Sequence, residues 1–176
     1  MRSLIGTRVA LLLGLSLVLV HGPLLAADAC SGFTWNVGDE RTLFASAASP
    51  APAGADSASA PILAPGRLYV LQLQPVSRVK FLAAPGRKTP EGAYAGLATL
   101  QIAAPGAYRI SVNAPFWIDV VADGGLMAAK GFQGAAGCDA PHKIVAFDFP
   151  VARQVTLQFS GAASSVRVSI TMESSR

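Results

Sequence analysis

The stretch "GAYRISVNAPFWIDVVADGG", residues 106–125, decides the fold class. Its first half alternates with period two, setting Tyr108, Ile110 and Val112 on one face and Arg109, Ser111 and Asn113 on the other. Successive side chains of a strand point to opposite faces, so the pattern predicts a strand buried on one side. The second half turns Phe116, Ile118, Val120 and Ala122 toward a core and leaves Trp117, Asp119 and Asp123 on the opposite face. With Asn113, Ala114 and Pro115 as the connection, the two halves read as a central β-hairpin. Asp123, Gly124 and Gly125 then form the closing turn, where an aspartate accepts backbone hydrogen bonds.

The same alternation extends outward from this stretch. "RLYVLQLQ" begins at Arg67, and "LATLQIA" sets Leu97 and Thr99 against Ala98, Leu100 and Ile102. "KIVAFDF" places Lys143, Val145, Phe147 and Phe149 in one row. "QVTLQFS" turns Val155, Leu157 and Phe159 inward, and "SVRVSITM" does the same with Val166, Val168, Ile170 and Met172. Pro-Gly pairs at Pro65, Pro85 and Pro105 break the chain at short intervals, and no long segment carries a helical stripe. Short strands at regular spacing predict an all-β chain, an antiparallel β-sandwich of jelly-roll or Ig-like type, over residues 62–176.

The N-terminal part divides in three. Residues 1–29 read as a signal peptide, with Arg2 and Arg8 ahead of an apolar run from Val9 to Val20 and small residues before Cys30. That run falls short of the roughly 20 residues a membrane-spanning helix needs, so cleavage after Ala27 or Ala29 is expected rather than anchorage. Asp28 suits a lipidation signal poorly. Residues 30–44 contain "FTWNV", whose Phe33, Trp35 and Val37 share a face, and are expected to form an N-terminal edge strand. Residues 45–61 are Ala, Ser, Pro and Gly with one acid, a composition expected of a flexible loop. The expected location is periplasmic or secreted.

Two cysteines, Cys30 and Cys138, remain after processing, and in an oxidising compartment an even pair reads as a disulfide. In the chain-entropy model a bridge closing a loop of about 100 residues contributes about 4 to 5 kcal/mol. The chain has 14 Lys and Arg against 10 Asp and Glu; cleavage after Ala27 removes Arg2 and Arg8 and no acid, leaving 12 against 10. This small excess lacks the clustered Lys and Arg of a nucleic-acid interface, so no nucleic-acid partner is expected.

His142 is the single histidine of the processed chain, which excludes His-rich zinc and two-His iron centres; no metal and no cofactor are expected. No G-x-S-x-G elbow accompanies His142, which reads as a loop residue entering a strand. Trp117, Asp119 and Asp123 are candidate ligand residues, because an aromatic flanked by acids on a sheet face suits a sugar. As a calcium site they would need Asp139 to converge on them, and as paired catalytic acids the aspartates lie about 13 Å apart along an extended strand. Arg78 and Lys80 point the same way from an extended "SRVKF", with Arg87 and Lys88 following, and form a candidate site for an acidic partner.

The strand entries at Pro65-Gly66-Arg67-Leu68 and Pro105-Gly106-Ala107-Tyr108 resemble those of exported pre-peptidase C-terminal-like β-sandwich modules, which are noncatalytic. From "ACSGFTW" through "FWIDVVADGG" to "HKIVAFDF" and "VTLQFSGA", the processed chain also resembles a group of small exported β-rich proteins of Gram-negative bacteria. Some of that group carry a homogentisate 1,2-dioxygenase label, which implies an iron site of two His and one Glu. The processed chain has His142 alone, so no catalytic residue carries over. The expected function is a periplasmic, noncatalytic binding or accessory module for a protein or cell-envelope glycan. The alternatives are a metal-independent carboxylate enzyme, such as a glycan hydrolase, and a structural envelope-assembly protein.

Overall fold

A computed structural model describes residues 29–173, so the expected leader up to residue 28 lies outside the described residues. The described residues form an all-β sandwich with a single α-helix. Helix α1 (Gly38–Phe44) precedes twelve strands: β1 (Ser49–Pro52), β2 (Ile62–Leu63), β3 (Leu68–Gln72), β4 (Gln74–Pro75), β5 (Tyr94–Ile102), β6 (Gly106–Val112), β7 (Trp117–Ala122), β8 (Gly125–Leu126), β9 (Gly131–Gly134), β10 (Lys143–Phe149), β11 (Arg153–Gly161) and β12 (Ser165–Met172). One sheet runs β1-β3-β12-β6-β10-β9; the other runs β2-β5-β11-β7-β8, with β4 also paired to β5.

The alternating residues do what their pattern predicts, except Met172, which ends β12 exposed rather than inward. Tyr108, Ile110, Val112, Phe147, Phe149, Val168 and Ile170 from the first sheet pack against Leu100, Ile102, Ile118, Val120, Leu157 and Phe159 from the second. Each fully buried aliphatic or aromatic side chain contributes about 1.5 to 3 kcal/mol of transfer free energy. Removal of these apolar faces from water holds the layers together.

Four expectations are corrected. The sheets are mixed rather than antiparallel throughout, because β1 runs parallel to β3 and β2 parallel to β5. The central hairpin does not exist: β6 pairs with β10 and β12, while β7 pairs with β11 and β8 in the other sheet. Asn113–Phe116 is therefore an arch that carries the chain between layers. The actual hairpin is β7–β8, closed by Asp123 (φ 51) and Gly124 (φ 77), the double positive φ of a tight two-residue turn.

Residues 30–44 are not an edge strand. A 3-10 turn (Ala29–Gly32) leads to α1, and the Asn36 side-chain oxygen accepts the Gly38 N–H at 3.0 Å, ending the extended run that "FTWNV" suggested. Residues 45–61 likewise carry strand structure. Ala53 N–H donates to Gln72 O at 2.9 Å, so odd positions face β3 while Pro50 and Pro52 turn to the open edge, where a missing N–H costs no ladder bond. Gly54 then bridges Leu97 of the opposite sheet. The small residues that suggested looseness allow this close approach across the end of the sandwich.

Cys30 and Cys138 form a disulfide. The bridge ties the start of the described chain to the loop entering β10. It fits an oxidising compartment. No helix among the described residues is long and apolar enough to cross a membrane.

Candidate functional site

Because Phe116, Ile118 and Val120 face the core, β7 delivers Trp117 and Asp119 to the outer face of its sheet. That face is covered by residues 79–90. Gln158 of β11 fastens the covering segment: its side-chain oxygen accepts Leu82 N–H at 2.7 Å and Ala83 N–H at 3.1 Å, and its amide donates to Ala83 O at 3.1 Å. Asp119 holds the next turn, with Oδ2 accepting Gly86 N–H at 3.0 Å and Oδ1 accepting the Trp117 indole N–H at 2.8 Å. A Cβ on Gly86 would stand 2.9 Å from Asp119 Oδ1, so any larger residue would have to displace the carboxylate. Asp119 is 8% exposed, and its carboxylate is used to position the loop and the indole.

This anchorage brings Arg87 to Trp117, with the guanidinium carbon 5.9 Å from the ring centroid. Lys143 approaches the same ring at 5.0 Å. Lys143 heads the inward row of β10 that continues with Val145, Phe147 and Phe149, but stands at the mouth of the sandwich, half-buried. Its Nζ donates to Phe116 O at 3.1 Å, using one of the three ammonium donors. Burial holds the Lys143 pKa below the usual lysine range, the nearby Arg87 charge lowers it further, and Asp119 opposes the shift.

Arg87, Trp117, Phe132, Gln133, His142 and Lys143 line a cleft of about 360 Å³, the size of a small-ligand site. Phe132, on edge strand β9, is 72% exposed. His142 Nδ1 lies 3.2 Å from Cys138 O; a carbonyl only accepts, so Nδ1 carries the proton. A second cleft of about 400 Å³ adjoins Trp117 between Lys88 and Glu91 on one side and Ser160 and Gly161 on the other. The indole thus stands between two clefts.

The structure brings together Trp117 and Asp119 but not Asp123. Asp123 sits in the β7–β8 turn, exposed and ion-paired with Arg153. Asp119, Asp123 and Asp139 form no cation site, and no group of three or more His, Cys, Asp or Glu among the described residues is placed to hold a metal. Arg78 and Lys80 do not project from a strand: Arg78 ends a 3-10 turn (Val76–Arg78), and Lys80 follows in a loop beside Ala55 and Asp56. Both are exposed, and neither lines the Trp117 clefts. Arg87 and Lys88, from the same basic stretch, do.

Sequence reasoning missed Lys143 and Phe132 as site residues. The available signal was a lysine heading an otherwise apolar strand row. It also missed the polar centre on the other sheet. There Arg109 lies 4.9 Å from the Trp35 ring centroid, donates to Asn36 O at 2.8 Å and to Glu173 at 2.6 Å, and stands 3.6 Å from buried Glu40. Thr171 donates to Glu40 at 2.7 Å, and Lys130 joins Glu173 and Asp148, each at 3.3 Å. These charges pair with one another and fasten residues 33–44 onto the sheet.

The chain matches no protein-family model, no curated protein sequence and no solved structure.

Proposed function

We propose that this chain is an exported, noncatalytic binding module for a cell-envelope glycan, with the Trp117 cleft as its site. The observation that carries the reading is a partly exposed indole, fixed at its N–H edge by Asp119, lining a cleft shared with exposed Phe132. A flat ring locked in place offers a stacking surface to a sugar at little entropic cost. Export rests on the apolar run from Val9 to Val20 and on the disulfide. The carboxylate-enzyme alternative loses its pair, since both Asp119 oxygens hold N–H donors and Asp123 belongs to a distant turn.

Affinity electrophoresis of the processed protein through gels containing envelope polysaccharide tests the reading. The expected result is retardation that Trp117→Ala abolishes and Phe132→Ala weakens, with both variants folded by circular dichroism. Equal mobility of the parent protein in gels with and without polysaccharide would overturn it.

A further inference from the structure

We infer that the cleft between Arg87, Trp117 and Lys143 selects an acidic saccharide, a sugar ring bearing an oxyanion that stacks on Trp117 while the two cations take the charge. The inference rests on the binding-module reading and adds the ligand's chemical class. Three observations carry it. Two cationic groups approach one indole ring, within 5.9 Å and 5.0 Å of its centroid. Among the described residues neither has an ion-pair partner, Arg87 donates no hydrogen bond, and Lys143 uses one donor, on Phe116 O. The acid that acts on the Lys143 charge, Asp119, has both oxygens engaged by Gly86 N–H and the Trp117 indole.

A half-buried ammonium beside a guanidinium is electrostatically unfavourable when empty, and burial and Arg87 both push Lys143 toward its neutral form. An oxyanion in the cleft reverses that balance by accepting charge-assisted hydrogen bonds from both groups. Phe132 and Trp117 give the site its apolar walls, and Gln133 and His142 add polar edges that suit hydroxyls. An inorganic anion would use the cations and leave the aromatic walls idle. A neutral sugar would use the walls and leave both cations without an anion. An acidic sugar uses both.

The test uses the processed protein carrying Trp35→Phe, so that Trp117 is the remaining indole. Its fluorescence is titrated with four probes: oligogalacturonate, its carboxyl-reduced neutral counterpart, a phosphorylated oligosaccharide and inorganic phosphate. The acidic oligosaccharides are expected to bind about tenfold more tightly than the neutral one, the factor that corresponds to about 1.4 kcal/mol. Arg87→Gln, on an exposed loop, and Lys143→Met are each expected to erase that preference, so that acidic and neutral oligosaccharides bind each variant equally. Whichever of the carboxylate and phosphate probes binds more tightly identifies the oxyanion. Equal binding of acidic and neutral oligosaccharides would overturn the acidic-ligand inference and leave the glycan reading standing. Inorganic phosphate binding as tightly as either acidic oligosaccharide would overturn the saccharide part. No response to any probe, together with unretarded mobility in polysaccharide gels, would overturn both.

Discussion

Asp119 shows how one side chain can resemble a ligand contact and serve as an anchor. Its oxygens each hold an N–H, so Asp119→Ala leaves the Gly86 amide and the Trp117 indole without acceptors. Losing two hydrogen bonds to these part-exposed donors is expected to lower unfolding free energy by about 0.5 to 1.5 kcal/mol per bond in denaturant titrations. Glu173 gives a second residue-level prediction. The Arg109 hydrogen bond, with help from Lys130, holds its carboxyl below the ordinary value of 4.5. A depressed folded-state pKa contributes stability that is present above the unfolded value and is lost as pH falls from about 4.5 through the folded value. Glu173→Gln is therefore expected to flatten the acid-side loss of stability, measured by thermal melts across that window. Lys143 has the same sign of slope at the alkaline end of the pH scale. Its lowered pKa means that the native state releases the proton first, so stability rises with pH between the folded value and the ordinary 10.5. Arg87, Asp119 and His142 face or adjoin this ammonium, and a His142→Gln background isolates it. In that background Lys143→Met is expected to remove the alkaline rise.

At the scale of the element, the segment formed by residues 79–90 matters most, because it has no regular structure yet builds the site. Gln158 makes three hydrogen bonds to it, each contributing on the order of 0.5 to 1.5 kcal/mol. Gln158→Ala is expected to speed amide hydrogen exchange at Leu82, Ala83 and Gly86 while core strands stay protected, and to weaken any Trp117 ligand. Loss of core protection together with the loop would count against this local role. Sequence patterns predicted the elements unevenly for physical reasons. Strands β5, β6, β7, β10, β11 and β12 were legible because a half-buried strand writes its two faces into alternate residues. Helix α1 was not, since seven residues are too few for a stripe, although Asp39 and Glu40 in its first turn suit a helix start. Strand β1 was hidden by its prolines, which are tolerated there because it is an edge.

For the whole molecule, the chain repeatedly crosses between layers: β5, β7 and β11 lie in one sheet, while β6, β10 and β12 lie in the other. Sequential long strands therefore face each other across the core, and hydrogen-bond partners come from distant sequence. The disulfide closes a 108-residue separation onto this framework, and its reduction is expected to cost about 2 to 5 kcal/mol, read as a shift in urea midpoint with and without reductant. A midpoint unchanged by full reduction would show that packing alone sets the stability. By itself the sequence determined the long core strands and most of their inward residues, the Cys30–Cys138 pairing and the Asp123–Gly124 turn, because alternation, cysteine count and turn chemistry act locally or admit one solution. Only the tertiary structure decided which strands pair, that Asp119 holds the Gly86 amide and the Trp117 indole, and that Arg87 and Lys143 meet at Trp117. The physical reason is that an apolar face specifies burial without specifying a neighbour. Any inward face can pack on any other, so the pairing and the site it assembles emerge from the way the complete set of faces fits together.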